Sequence, residues 1–345
     1  MDKKLKILFV EPAAQISISD VGRGYRSALE RQGHDIRDYN MVARMQYHAS
    51  ALPPEVKDDQ SVLVRQASEN ILNEAVYSEV DLVVVVSGLN VHPIALWSLA
   101  KVGIPVAVIL TESPYDDDSQ AMWADMSSKG VKSPLLFTND RSSAERMGWG
   151  YLPPAFDPAV HHPVDSVKDE ECDVVMVGTG WQERQAFLEA VNWNGIKLRI
   201  YGVWPDLHAD SPLHQYYSPL VVDNTRIAPV YCSAKICLNF HRKSATAYTP
   251  NPRAYELAAC GAFQLSDPRP GLTELFGDQL FTFDTPKKLE DAIHFYLQES
   301  AARMSMAGRC KELVQGETFD KRAEQFMAVV NSRLFSPPAS STEST

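Results

Sequence analysis

Cysteine is scarce in this sequence, and its few positions exclude the structures that depend on it. There are five cysteines in 345 residues, and no two of them form a C-x-x-C pair. An odd number without close pairs argues against a disulfide framework and against a zinc ribbon. We therefore expect reduced, mostly buried thiols, as in proteins of the cytoplasm.

Long apolar runs are also missing. The charged N-terminal residues precede only a short run, Ile7 to Val10, which is too brief for the core of a signal peptide or for a membrane span. No other segment approaches 18 consecutive apolar residues. We expect a cytoplasmic protein without an integral membrane segment.

Positive charge is in short supply. The 33 lysines and arginines face 44 aspartates and glutamates, which gives a formal net charge of -11 and a pI near 5.3. Such a field opposes long-range attraction to nucleic acids and anionic bilayers, although a local basic groove is compatible with it. DNA is therefore disfavoured as a partner without being excluded.

The chain is long enough for two α/β domains. At roughly 150 residues per domain, 345 residues predict two domains with a cleft between them. Short apolar runs alternate with helical patterns, and such runs are typical of parallel strands that helices cover on both faces. The runs are residues 7–10, 82–86, 106–110 and 135–138, and then 173–177, 197–201, 235–240 and 262–265. The predicted fold class is α/β, with two Rossmann-like doubly wound domains facing across a cleft.

A proline-rich connection separates the two series of strands. Four prolines fall between residues 151 and 163, which indicates a stiff, extended linker. We predict an N-terminal domain over residues 1–155 and a C-terminal domain over residues 164–317. A last helix over about residues 319–334 is expected to pack back on the first domain. Residues 336–345 have the composition of a disordered tail.

A glycine-rich turn follows the run 173–177. Gly178, Thr179 and Gly180 precede a predicted helix whose first turn carries Arg184. The free N–H groups and partial positive charge of a helix start favour phosphate oxygens, and Arg184 adds a bidentate donor. The motif is not a dinucleotide fingerprint, because Glu183 stands where G-x-G-x-x-G requires glycine. A tight turn without a ligand remains the alternative.

The next strand ends carry polar or aromatic residues at the same predicted sheet edge, where open α/β sheets bind ligands. Gly202 and Trp204 follow one strand, and the tryptophan offers either a face for a nucleobase or core packing. Asn239 ends another, with His241 and Arg242 directly after it.

Arg253 and Glu256 are three residues apart on a predicted helix that ends at Gly261, so they project from one face. A diphosphate and a ribose diol would need such a pair, whereas a surface ion pair is the simpler alternative. Arg242 and Lys243 add positive charge nearby in the sequence, which indicates an anionic ligand or a solvated basic loop.

A further helix start follows the run 262–265. Gly271, Leu272, Thr273 and Glu274 begin it. Gly271 permits close backbone approach, and Glu274 is able to accept hydrogen bonds from hydroxyls or to serve the helix dipole.

Candidate catalytic residues of the first half are His92, Glu112 and Asp116, which also follow predicted strands. The run Asp116 to Asp118 fits an Asp-x-Asp metal pattern, but acidic residues before a helix are more simply helix-start chemistry. His92 could equally be a satisfied structural histidine. We assign no metal site.

The order of these motifs resembles that of GT-B-fold glycosyltransferases of the CgeB-like group, which is related to glycosyltransferase family 4 (glycosyl transferases group 1). The resemblance covers most of the chain and is specific over about residues 173–296. It rests on four motifs in order: Gly178-Thr-Gly-x-x-x-Arg184, Ile200-Tyr-Gly202, Ser233-x-Lys-Ile-x-Leu-Asn239 and Arg253-x-x-Glu256-x-x-x-x-Gly261.

The resemblance implies a nucleoside-diphosphate sugar, most simply a UDP-sugar, as co-substrate, with no tightly bound cofactor. It implies that Glu256 holds the ribose hydroxyls, that Arg184 and Arg253 contact the pyrophosphate, and that residues 271–274 meet the sugar and diphosphate. Transfer to a hydroxyl of a glycan, protein or small molecule, with retention and without a metal, is implied as well.

One position departs from the family pattern. The family carries a glutamate eight residues before the equivalent of Glu256, near the transferred sugar, and Tyr248 stands there in this chain. The sugar and the stereochemical outcome therefore stay open. Two alternatives also stay open: the same fold acting on a modified base in DNA, as viral enzymes do, and a scaffold that binds nucleotide sugar or glycan without turnover.

Overall fold

The structure is a computed structural model of the chain, and it describes residues 4–12, 16–111, 135–242 and 248–335. The chain divides into two compact units. Unit 1 comprises Met1–Pro153 and Asp320–Thr345, and unit 2 comprises Pro154–Phe319. Within the described ranges, no helix is long and apolar enough to cross a membrane.

Unit 1 is built on one parallel six-stranded sheet. Its described strands are β1 (Lys6–Glu11), β2 (Asp35–Asn40), β3 (Leu82–Val86), β4 (Val106–Leu110), β5 (Leu135–Thr138) and β6 (Gly150–Tyr151). Its described helices before residue 153 are α1 (Ile16–Arg31), α2 (Met41–Ala51), α3 (Gln60–Tyr77), α4 (Pro93–Lys101) and α5 (Arg141–Met147). The strand order is β2-β1-β3-β4-β5-β6, with every pairing parallel.

Unit 2 repeats this architecture. Its strands are β7 (Cys172–Val177), β8 (Leu198–Tyr201), β9 (Tyr217–Ser218), β10 (Ala234–Asn239), β11 (Gln264–Ser266) and β12 (Phe281–Thr282). Its described helices are α6 (Gln182–Glu189), α7 (Ile227–Ser233), α8 (Pro252–Ala259), α9 (Pro270–Phe276), α10 (Pro286–Gln298) and α11 (Ser300–Leu313). The parallel strands follow the order β12-β11-β10-β7-β8-β9.

Helices cover both faces of the sheet in unit 2. Val174 and Met176 of β7 pack into one apolar cluster, while Val175 and Val177 pack into another. Because successive strand residues point to opposite faces, a strand covered on both sides reads as a continuous apolar run. The predicted α/β class with two Rossmann-like sheets is confirmed.

The strand β2 is absent from the sequence prediction. It lies at the edge of the sheet in unit 1, and of its six residues only Tyr39 is buried. An edge strand with one buried side chain needs no apolar run, so the pattern that reveals β3 and β4 is missing from it.

The last described helix, α12 (Phe319–Val330), continues into a π-helical turn at Asn331–Phe335. From Asp320 onward it belongs to unit 1. Arg31 donates two hydrogen bonds to the Asp320 carboxylate, at 2.8 and 2.9 Å, and the rings of Phe137 and Phe326 lie 5.0 Å apart. Apolar and charged contacts together hold this helix on unit 1.

In unit 2, β7 lies between β8, which follows it in the chain, and β10. The connections leave β7 and β10 in opposite directions along the sheet, which makes this pair a topological switch point. Open α/β sheets bind ligands outside the carboxyl ends of the strands at such a point.

Candidate functional site

The turn after β7 lies at the switch point of unit 2. Gly178 has φ +146° and Gly202, after β8, has φ +120°, a region that disfavours side chains. A Cβ atom on Gly202 would overlap the carbonyl oxygen of Gly178. The two turns therefore touch through their backbones, and only glycine at position 202 allows that approach.

Trp204 lies underneath the same turn. Its indole Nε1 donates to the Gly178 carbonyl at 2.9 Å, and a Cβ atom on Gly180 would run into its ring. The side chain is buried. Of the two roles open from the sequence, this placement corresponds to packing, because the ring supports the turn and presents no free face to a nucleobase.

Arg184 comes from the first turn of α6 and is buried. Its guanidinium donates from Nη1 to the carbonyl of Thr179 and from Nη2 to that of Phe240, the latter at 2.9 Å. Its Nε is buried without a hydrogen-bond partner among the described residues. Burial, together with the positive charge of Arg253, lowers the pKa of Arg184 to about 9.

Arg253 approaches the same turn from α8. An atom at the Cβ position of Gly178 would lie 3.1 Å from Nη1 of Arg253 and 3.2 Å from Nη1 of Arg184. Arg253 donates from Nε to the Tyr231 hydroxyl at 3.2 Å. Burial alone would lower its pKa, but Tyr231 and Glu256 more than offset that and raise it. Two guanidinium groups thus converge on Gly178.

Asn239, at the end of β10, ties α8 to the sheet. Asn251, the N-cap of α8, donates from Nδ2 to Asn239 Oδ1 at 2.8 Å and to the Phe240 carbonyl at 3.1 Å. The Asn251 side chain also accepts from the N–H of Ala254, which is a normal cap contact. The Nδ2 of Asn239 itself is buried without a partner in the described part of the chain.

His241 forms a pair with Asp267, which follows β11. Its backbone N–H and its Nδ1 both contact Asp267 Oδ1, at 3.0 and 2.5 Å. Burial lowers the pKa of the imidazole, although Asp267 acts in the opposite direction. Its Nε2 is buried and has no hydrogen-bond partner among the residues described. The sequence placed His241 at this edge but did not single it out.

Glu256 is half-buried on α8, and a histidine that sequence reasoning missed lies close to its carboxylate. Nε2 of His161 lies 4.0 Å from Oε2 of Glu256, and the His161 side chain is 5% exposed. Nδ1 of His161 accepts from the N–H of Asp157 at 3.2 Å, so the neutral ring carries its proton on Nε2, toward the carboxylate. His161 lies in the proline-rich stretch after residue 153, where a buried histidine has no sequence signature.

Tyr248 and the start of α9 are in direct contact. The Gly271 N–H donates to the Tyr248 carbonyl at 3.0 Å, and the Tyr248 hydroxyl donates to Oε2 of Glu274. A Cβ atom on Gly271 would lie 2.7 Å from Pro250 and 2.8 Å from the Tyr248 carbonyl oxygen, so glycine is needed there. Leu272 points into the core of unit 2, whereas Thr273 is exposed.

Of the three catalytic residues predicted for the first half of the chain, the structure describes His92 alone. His92 is the N-cap of α4, and its Nδ1 accepts from the N–H of Ile94 at 3.2 Å. Glu112 and Asp116 lie outside the described residues, as do Asp117, Asp118 and Lys243. No group of three or more histidines, cysteines, aspartates or glutamates in the described ranges is arranged to hold a metal ion.

A comparison with protein families finds a match over residues 164–328, and the matching family is described as glycosyl transferase-like. These residues cover most of unit 2, including every site residue described above between Gly178 and Glu274. Residues 164–328 are therefore similar to this family. No curated protein matches the chain.

Solved structures extend the likeness from this domain to the whole chain. Sucrose-phosphate synthase from Thermosynechococcus elongatus has a TM-score of 0.70 at 14% identity, over 95% of this chain and 99% of that one. The Anabaena protein HepE, solved with UDP-glucose, has a TM-score of 0.63 at 12% identity, over 95% and 100%. An alpha-glucosyltransferase solved with UDP and a DNA 13-mer has a TM-score of 0.61 at 10% identity, over 96% and 100%. At such low identity the likeness shows the fold, and the predicted GT-B fold is confirmed.

Within unit 2, the sequence motifs converge on one place. The turn at Gly178, the guanidinium groups of Arg184 and Arg253, and the ends of β7 and β10 lie together at the switch point. The arrangement offers buried N–H donors and two cations, so it can bind a ligand rich in negatively charged oxygens.

Proposed function

We propose that this GT-B-type glycosyltransferase transfers a sugar from a UDP-sugar to a hydroxyl of a glycan, protein or small molecule, with retention and without a metal at the diphosphate. The observation that carries the proposal is the convergence of Arg184 and Arg253 on Gly178, with buried N–H donors left unpaired beside them.

Two neighbouring guanidinium groups repel each other, and a buried donor without a partner costs about 1–3 kcal/mol. No carboxylate of the described residues lies within ion-pair distance of either guanidinium. A diphosphate at the turn would supply both the missing charge and the missing acceptors. The same cations would stabilise the negative charge that develops on the diphosphate as the sugar leaves, in the role that a metal has elsewhere.

Each further residue has a place in this proposal. Oε2 of Glu256 lies 4.0 Å from Nε2 of His161, and we assign this carboxylate to the ribose hydroxyls, since a carboxylate accepts from a diol. Tyr248 and Glu274 are assigned to the transferred sugar. Because the Tyr248 hydroxyl donates to Glu274, the pair offers a fixed carboxylate although the glutamate of the family pattern is absent.

The test is release of UDP from a panel of UDP-sugars by wild type, Arg184→Ala and Glu256→Ala. Removing one preorganised donor to developing charge costs about 100- to 1000-fold in rate, so Arg184→Ala is expected to lose at least about 100-fold. Glu256→Ala removes a charged acceptor of the ribose hydroxyls, worth about 1.5–3 kcal/mol per hydrogen bond, so it is expected to lose at least about tenfold in kcat/KM. Arg309→Ala and Glu312→Ala are the matched controls, since both residues are exposed on α11. Activity of both site variants equal to wild type would refute these assignments.

Two alternatives keep the site and change its use. A modified base in DNA as acceptor is supported by the fold shared with the DNA-bound alpha-glucosyltransferase, while the net charge of -11 weighs against it. DNA that fails to bind at low salt would remove this alternative. A scaffold without turnover is supported by Tyr248 in place of glutamate, and hydrolysis or transfer of any donor sugar would exclude it.

A further inference from the structure

His241 has a fixed tautomer and one unused nitrogen. A carboxylate only accepts, so the Nδ1 that lies 2.5 Å from Asp267 Oδ1 carries a proton. In the neutral ring Nε2 is then a bare acceptor, and in the charged ring it is a donor. The side chain is only 3% exposed, yet Nε2 has no hydrogen-bond partner among the described residues.

Two other buried nitrogens without hydrogen-bond partners among the described residues belong to residues around Phe240, the residue before His241. The carbonyl of Phe240 accepts from Arg184 Nη2 at 2.9 Å and from Asn251 Nδ2 at 3.1 Å. Asn239 and His241 flank Phe240 in the chain, and Arg184 Nε, Asn239 Nδ2 and His241 Nε2 are all buried without partners. In the described part of the chain, the other unpaired buried side-chain atoms are oxygens. The N–H groups of Arg184 Nε and Asn239 Nδ2 therefore lack acceptors, and Nε2 of His241 becomes a third such donor once the ring is protonated. An oxygen-rich anion would supply the acceptors that all three need.

We infer that Nε2 of His241 donates a hydrogen bond to the diphosphate of the bound nucleotide, and that binding brings one proton from solvent to this imidazole. The inference rests on the proposed function, because it takes the nucleoside diphosphate as the ligand of the site. The balance is simple: neutral His241, one proton and the nucleotide anion give imidazolium and bound nucleotide, and no other bond changes.

The charges that face His241 set the direction of this proton uptake. Asp267 faces it from the segment after β11, Arg269 from the start of α9, and Arg184 from α6. In the free site, burial first and then the two arginines favour the neutral ring, while Asp267 favours the charged one. A diphosphate adds negative charge against the unused nitrogen, so the pKa of His241 rises on binding.

This proton uptake makes the affinity for UDP depend on pH. Between the pKa of the free ring and that of the bound ring, only the complex holds the proton, so UDP affinity falls as pH rises. The terminal phosphate of UDP has a pKa near 6, and its own ionisation on binding to cations would release protons, which is the opposite sign. Net uptake near pH 7.5 therefore identifies a basic group of the protein.

The experiment is calorimetric titration of the full chain with UDP at pH 7.5 in two buffers that differ in ionisation enthalpy. Wild type is expected to take up a measurable fraction of a proton with UDP and none with uridine, which lacks the diphosphate. His241→Gln keeps an amide donor but does not titrate, so it should show no uptake and bind UDP about 10- to 100-fold more weakly. His294→Gln, at an exposed position of α10, is the matched control and should behave as wild type.

Each outcome decides between the two proposals. UDP binding by wild type without proton uptake would overturn the role of His241 and leave the proposed function intact. Uptake that persists unchanged in His241→Gln would also overturn it. Absence of UDP binding by wild type would overturn the proposed function and this inference together. The wild-type comparison of UDP with uridine needs no variant, so it holds even if His241→Gln fails to fold.

Discussion

Replacing Arg184 by methionine should separate stability from ligand binding. Methionine fills a similar volume without the charge, and the site is buried enough to accept an apolar side chain. If the two guanidinium groups serve to bind an anion, removing one of them should change the free energy of unfolding of the ligand-free protein only slightly.

The magnitude follows from two opposing contributions. A pKa lowered from 12.5 to about 9 corresponds to about 5 kcal/mol of interaction against the charged form of Arg184. Against this stand two hydrogen bonds from a charged donor, to the carbonyls of Thr179 and Phe240, worth about 1.5–3 kcal/mol each. The Phe240 carbonyl keeps Asn251 as a donor after the substitution. The free energy of unfolding should therefore change by no more than about 2 kcal/mol.

The assay is urea unfolding of wild type and Arg184→Met, with and without UDP. A ligand at 100 times its Kd stabilises the protein that binds it by about 2.7 kcal/mol, and this gain should appear in wild type and vanish in Arg184→Met. Arg309→Met on the exposed face of α11 should keep it. A loss of more than about 4 kcal/mol in the free variant, or an undiminished gain with UDP, would refute the reasoning.

Three further substitutions or reactions test other parts of the site. Gly202→Ala should lower the free energy of unfolding by at least about 2 kcal/mol in thermal or urea melts, because its Cβ would overlap the Gly178 carbonyl at a positive φ. The control is Gly308→Ala, which has open space around it and should be neutral or stabilising. Equal stability of the two variants would contradict the close contact of the turns. Tyr248→Phe removes the hydroxyl that donates to Glu274, so kcat should fall about tenfold while the Kd for UDP stays the same. A kcat equal to that of wild type would show that the hydroxyl is not needed. A hydrogen bond from Cys260 lowers the pKa of the Cys232 thiol, and Cys232 is half-buried whereas the other four cysteines are buried. Iodoacetamide near neutral pH should therefore modify Cys232 first. If peptide mass analysis locates the first modification at one of the four buried cysteines, this prediction is wrong.

Much of the fold was predictable because the central strands are buried on both faces. The runs at 82–86, 106–110 and 135–138 coincide with β3, β4 and β5, since a strand between two helical layers must be apolar throughout. The edge strand β2 could not be predicted, because Tyr39 is its only buried residue and one apolar residue forms no pattern. Residue type and spacing thus reveal a strand only where packing constrains every side chain.

The site was predictable only in part, for a related reason. Glycines, and cations at the start of a helix, mark a phosphate-binding turn by their chemistry, so Gly178, Arg184 and Arg253 could be named in advance. The roles of His161 and His241 depend on which nitrogen lacks a partner after folding, and no sequence pattern encodes that. For Trp204 both packing and base stacking were consistent with the sequence, and it is the burial of its ring after folding that favours packing.

The most direct measurement is a crystal structure of the protein with UDP. We predict that the diphosphate lies beside Gly178, within hydrogen-bond distance of Arg184 and Arg253, with His241 Nε2 and Asn239 Nδ2 no longer unpaired and the ribose at Glu256. A nucleotide bound elsewhere, or a diphosphate more than about 5 Å from both guanidinium groups, would contradict the assignment of this switch point as the donor site.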